Sequence, residues 1–180
     1  MLRMLGLGLF VALAGAAGCA STAPKTTEQR ATLDTDAQSA VAEMTAADSD
    51  LKSMLDQAAG YVVFPNIRQG GFIVGGAGGR GVLYEHGKQV GYAQLSQASV
   101  GAQLGGQSYA EIVVLRDQAA VDRMKSKEFD VGGQASAIAV KAGAAASTSF
   151  TDDGIAVFVN PKKGAMINVS LTGQRVKYSG

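Results

Sequence analysis

The sequence predicts an α+β fold: mainly antiparallel strands forming a curved sheet or partly closed barrel, with short N-terminal helices and one mid-chain helix. Three observations predict it. Apolar residues recur at helical spacing only before Gly60 and again between Asp117 and Ser126. Elsewhere after Gly60 they alternate or gather in short β-rich runs. Residues 60–109 hold 13 of the 24 glycines, which suits a sheet full of bulges and sharp bends.

The chain opens with Met1-Leu2-Arg3 and an apolar run from Met4 to Ala17. That run is shorter than the ~20 apolar residues a membrane-spanning helix needs. A charged start, an apolar middle and a small-residue finish are the pattern of a secretory signal peptide, here residues 1–18. Its end, Ala16-Ala17-Gly18-Cys19, resembles a bacterial lipobox, which makes Cys19 the site of diacylglycerol attachment and the mature N-terminus. Acyl chains contribute about 0.8 kcal/mol per buried CH₂, so a multiply acylated (palmitate-type) cysteine anchors stably. Cys19 is the single cysteine, so an intramolecular disulfide is excluded. Ala20 follows it where an aspartate would signal inner-membrane retention, so the expected location is the outer membrane of a bacterial envelope.

Residues 19–34 are polar and poor in large apolar side chains, and they read as a flexible tether behind the lipidated cysteine. The folded domain is expected over 35–180. Thr35-x-x-Gln38 looks like a capping box opening a helix, with Ala37, Ala40, Val41, Met44 and Ala47 on its apolar side. Asp48-Ser49-Asp50 divides it from a second helix carrying Leu51, Met54, Leu55 and Ala58, ended by Gly60. Strands follow at Tyr61–Phe64 (closed by Pro65-Asn66), Gly71–Val74, Gly81–Tyr84, Val90–Leu95 and Ser108–Leu115. Asp117 caps a helix running to about Ser126. Phe129, Val131, Ile138 and Val140 belong to extended chain. Alternation at 155–159, 167–171 and 176–178 predicts a three-strand meander.

Several functions are disfavoured by these residues. The formal charge of +1 falls to 0 once Arg3 is cleaved with the leader, which argues against nucleic-acid binding. The charge is uneven: residues 20–56 carry 3 basic and 7 acidic groups, and 57–180 carry 12 basic and 8 acidic. Gly76-Ala77-Gly78-Gly79-Arg80-Gly81 fits G-x-G-x-x-G, but no helix pattern follows it and no acid lies between Glu85 and Glu111. The single histidine, His86, sits in a turn-like tetrapeptide and has no nucleophile partner in the sequence. Asp152-Asp153 reads as a solvated turn, not a metal site. Neither an enzyme nor a cofactor or metal site is expected.

The blocks GYVVFPNIRQGGFIVGGAGGRGVLY (60–84) and LSQASVGAQLGGQSYAEIVVL (95–115) resemble the signature of the SYLF domain family. So do VDRMKSKEFDVGGQASA (121–137) and GIAVFVNPKKGAMINVSL (154–171). The resemblance implies a non-enzymatic lipid-binding module. In this chain residues 35–58 are acidic, whereas eukaryotic relatives carry a basic N-terminal helix, so the phosphoinositide site is not carried across. The residues expected to meet anionic phospholipid are Arg68, Phe72 and Arg80, then Lys162 and Lys163 in a turn, and Arg175 with Lys177. The other reading is an envelope protein that binds a protein partner through an exposed sheet edge near residues 134–146.

Overall fold

Side-chain caps decide where the helices of this chain begin. The computed structural model describes residues 24–71, 74–100, 107–126, 129–131, 138–140, 149–162 and 174–180. Helix α1 (Thr27–Ala47) starts where the Thr26 hydroxyl accepts the Gln29 N–H at 3.2 Å, while the Gln29 side chain accepts the Lys25 N–H at 3.0 Å. Its cap therefore lies nine residues before the expected one, and the stretch 27–34 expected as tether is helical. Thr35, the expected cap, instead donates its hydroxyl to the Ala31 carbonyl at 2.9 Å, as a threonine inside a helix does. Asp48 ends α1, and its carboxylate accepts the N–H groups of Asp50 and Leu51 to open α2 (Ser49–Gln57). Asp117 caps α3 (Gln118–Lys125) by accepting the Ala120 N–H at 2.9 Å, as the sequence predicts. That N–H, aided by Arg116, holds the Asp117 carboxyl below its ordinary range.

Among the described residues, eight strands form one sheet: β1 (Gly60–Gly71), β2 (Val74–Glu85), β3 (Lys88–Val100), β4 (Gln107–Leu115), β5 (Phe129–Asp130), β6 (Ile138–Val140), β7 (Ile155–Pro161) and β8 (Gln174–Ser179). Their order is β5-β8-β3-β2-β1-β4-β7-β6, and every neighbouring pair is antiparallel except β6 with β7. The expected α+β class, dominated by antiparallel strands, is what the chain adopts. His86 (φ 48°) and Gly87 (φ 75°) both take left-handed backbone, the requirement of a tight two-residue turn between β2 and β3.

Two expectations about the strands need correction. Pro65-Asn66 does not end a strand, because β1 runs through it on a bulge: Phe64 faces Glu111 and Ile67 faces Tyr109, so β1 carries one residue more than β4 there. Gly75, Gly76, Gly78, Gly79 and Gly81 lie inside β2, so the expected run at 81–84 is the far end of that strand, while Gly71 ends β1, Val74 begins β2 and residues 72–73 lie outside the described residues. Glycine is required at Gly81, where a Cβ would fall 2.6 Å from both the Phe64 ring and the Val63 carbonyl. Of the expected meander, β7 pairs with β4 and β8 with β3, on opposite flanks of the sheet, and the 167–171 strand lies outside the described residues.

The strands divide two cores between the sheet's faces. One face gathers Val62, Phe64, Ile67, Leu83, Leu95, Val113, Leu115, Val157 and Val176, with Val121 and Met124 of α3 packed against it. The other gathers Val63, Val82, Tyr84, Ile112, Val114 and Phe158 beneath Ala37, Ala40, Met44 and Leu51 of α1 and α2. The sheet curls toward the first face. Gln174 on β8 donates from Nε2 to Glu111 Oε2 on β4 at 3.0 Å, although β3, β2 and β1 lie between those strands in the sheet.

Candidate functional site

Register settles which side chains share a face, because residues directly opposite across neighbouring strands point to the same side. Arg68 on β1 faces Gly78 on β2, Gly78 faces Ser96 on β3, and Ser96 faces Arg175 on β8. On the other flank Arg68 faces Ser108 of β4, whose carbonyl accepts the Lys162 N–H at 3.2 Å. A second row, two residues along, joins Arg80, Gln94 and Lys177. Both rows are in phase with Val82 and Tyr84, so they belong to the face that α1 and α2 cover elsewhere.

The helices leave this end of the face open. Arg68, Arg175, Lys177 and Lys162 are exposed and Arg80 is half-buried. With strands about 4.8 Å apart, the Arg68 and Arg175 backbones lie ~14 Å apart, and those of Arg80 and Lys177 ~10 Å apart. Five of the basic residues singled out in the sequence thus come to one open region, four on two adjacent rows and Lys162 at the end of one. Asp130 lies opposite Arg175 at the outer edge. Phe72, Lys163 and Cys19 lie outside the described residues.

The helix-covered end has a different chemistry. Tyr61 and Tyr84 stack with ring centroids 5.0 Å apart, and the Arg30 guanidinium lies 5.9 Å from the Tyr92 ring. Burial, with Tyr61 beside it, pushes the Tyr84 phenol up to about 12. A cleft of about 550 Å³ between the helices and the β2–β3 turn is lined by Tyr61, Lys52, Asp56 and His86 among others. Lys52 and Asp56 pair there at 2.7 Å, and His86 is exposed in its turn.

Inside the curl lies a polar group that sequence reasoning missed. Glu111 is fully buried, and burial pushes its carboxyl up to about 7 against the opposing Gln174 hydrogen bond. Its Oε1 and the neighbouring Tyr109 hydroxyl have no hydrogen-bond partner among the described residues. Burial and the nearby Glu111 raise the Tyr109 phenol as well. The signal was in the sequence: Tyr109, Glu111 and Val113 alternate in one phase of a strand whose other phase is Ala110, Ile112 and Val114. A carboxylate in such a phase faces the interior once both faces are covered.

Among the described residues, no helix is long and apolar enough to cross a membrane. Residues 96–179 match the family model Ysc84, described as Las17-binding protein actin regulator. The match takes in Lys162, Arg175 and Lys177 and starts beyond Arg68 and Arg80. The chain is also 24% identical over 155 residues to Beta cell expansion factor A of Aeromonas veronii. That alignment covers 84% of this chain and 58% of the relative, so the chain spans little more than half of the relative's length.

Proposed function

We propose that the chain, whose residues 96–179 match the Ysc84 family model, is a SYLF-type domain that binds membrane phospholipid through anionic headgroups, with no catalytic step. The observation that carries this reading is the meeting of Arg68, Arg80, Arg175 and Lys177 on one open sheet face. Each lysine or arginine at an anionic surface contributes about 1 kcal/mol, so the cluster holds a domain at a membrane where single charges would not. The serine hydroxyls of Ser96 and Ser108 add donors in the same row, and guanidinium groups meet phosphate with paired N–H donors.

The covalent anchor belongs to the same reading. Cys19 carries acyl chains in the mature envelope lipoprotein, at the outer membrane. Pro24, the first described residue, lines a cleft together with Arg80, and five residues of chain reach at most about 17 Å. So short a tether supports a reading in which anchor and basic face meet the same membrane. Two weak attachments held together bind far more tightly than either alone.

Co-sedimentation with vesicles tests the proposal, using residues 20–180 so that no acyl chain contributes. Binding to anionic but not neutral vesicles, weakened by salt and by Arg68→Ala/Arg175→Ala, is the expected result. Failure to sediment with vesicles of any composition would sink it. The second reading, capture of a protein partner, is favoured by the family's description as Las17-binding and by β6, which ends the sheet with one side unpaired by any described strand. Under that reading the vesicle result is negative and substitutions along β6 abolish partner capture.

A further inference from the structure

Helix α1 brings a second set of charges to the basic face. Glu28, Thr32 and Asp36 stand at i, i+4 and i+8, one exposed stripe beside the buried stripe of Ala37, Ala40 and Met44. With Pro24 and Leu33 they line a cleft of about 540 Å³ whose opposite wall is Arg80 of β2. The carboxylates and the guanidinium do not close on one another: among the described residues, the ion pairs are Lys52–Asp56, Arg116–Asp117 and Lys125–Glu85. Arg30, the basic residue of α1, is engaged elsewhere, donating to the Pro24 carbonyl at 3.3 Å with its guanidinium toward Tyr92. The Thr32 hydroxyl donates to the Glu28 carbonyl at 3.0 Å, which leaves its lone pairs free to accept.

A cleft with unpaired opposite charges on facing walls complements a ligand that carries both charges on a short link. We propose that it is a subsite for a phosphoethanolamine headgroup, with Arg80 on the phosphate and the Glu28–Thr32–Asp36 stripe on the ammonium. The stripe favours a primary ammonium over a quaternary one, because its groups are hydrogen-bond acceptors and a trimethylammonium offers no N–H to them. The inference rests on the lipid-binding reading and sharpens it. Arg68, Arg175 and Lys177 sense surface charge, while the α1–β2 cleft recognises one headgroup. The walls are solvated, so a single headgroup binds weakly, and the membrane supplies many at once.

The test separates this site from the membrane reading. Glycerophosphoethanolamine is titrated into the mature chain carrying Cys19→Ala, with glycerol 3-phosphate, ethanolamine and glycerophosphocholine as comparison probes, and the amide resonances of α1 and β2 are followed. The expected result is tighter binding of glycerophosphoethanolamine than of the other three, by about fivefold. Glu28→Gln/Asp36→Asn should remove the preference over glycerol 3-phosphate, and Arg80→Gln the preference over ethanolamine. Glu28 and Asp36 are exposed and Arg80 is half-buried, and far-UV circular dichroism checks that the variants fold. Equal binding of all four probes, or a preference that survives both variants, overturns the site. Vesicles of equal surface charge containing phosphatidylethanolamine or phosphatidylcholine form the second arm. Selective binding of the soluble probe without vesicle binding keeps the site and removes the membrane reading. Vesicle binding that depends on Arg68 and Arg175 and ignores the zwitterionic lipid, with a flat titration, removes the site and keeps the membrane reading.

Discussion

The two faces of this sheet are built from the same strands and treat polar residues in opposite ways. On the inner face, Glu111 and Gln174 are fully buried and bonded to each other across the curl. On the outer face, Arg68, Arg175 and Lys177 are exposed, with none of the described residues burying them. A polar group enclosed by apolar walls is held in one arrangement, because leaving it unsatisfied costs about 1–3 kcal/mol. One left in water keeps its hydration until a ligand replaces it. The inner polar pair therefore bears on stability, and the outer rows are available for binding.

Substitutions that break this contrast should differ in size. The largest effect is expected from Phe64→Ala on the inner face. Its ring is fully buried, and its loss should destabilise the domain by ~3–5 kcal/mol in chemical denaturation. Next is the pH dependence set by Glu111. Its carboxyl titrates near 7 when folded and near 4.5 when unfolded, so the folded state binds the extra proton. The stability this provides is fully present below about pH 4.5 and is lost as pH rises through about 7, a change on the order of 3 kcal/mol. Glu111→Gln should flatten that slope between pH 5 and pH 8, and a variant that keeps the slope would show that another group causes it.

Smaller effects sharpen the comparison on the outer side. Arg68→Ala and Arg175→Ala should each weaken binding to anionic vesicles by about 1 kcal/mol, roughly fivefold, while shifting stability by no more than ~0.5 kcal/mol. A large loss of stability from either would mean that the outer rows support the fold after all. Asp117→Ala removes the α3 cap and should cost ~1 kcal/mol of stability with no change in vesicle binding. Lys52→Ala, which breaks an exposed i,i+4 pair, should cost under ~0.5 kcal/mol.

Local signals were readable in the sequence and cross-strand geometry was not. The α3 helix was legible because its cap and its apolar stripe lie within nine residues. For α1 the sequence offers Thr-x-x-Gln twice, at 26–29 and at 35–38, and the second precedes the apolar stripe. The first opens the helix, since a cap needs no apolar neighbours and two polar turns extend at little cost once Ala37, Ala40 and Met44 are packed. Pro65 and the glycines read as strand ends because both residues punctuate isolated chain, but pairing on two sides carries β1 and β2 through them. The identities of the basic residues were plain. Their gathering was not, because it depends on the register of β1, β2, β3 and β8, strands as far as 107 positions apart at Arg68 and Arg175.

The extra residue at Pro65-Asn66 acts as a phase shift in the strand's two-residue period. Alternation counted straight on from Tyr61 would turn Ile67 and Gln69 outward and Arg68 inward, the reverse of what the chain does. Loss of one residue at this point would keep every downstream side chain on its present side and merely straighten the ribbon. Gain of one residue, if the ribbon then paired regularly, would also keep Arg68 outward, but would slide it two positions along β4. Length changes here are therefore unequal in consequence: a shorter segment straightens the strand in its present register, and a longer one shifts the register of everything beyond it.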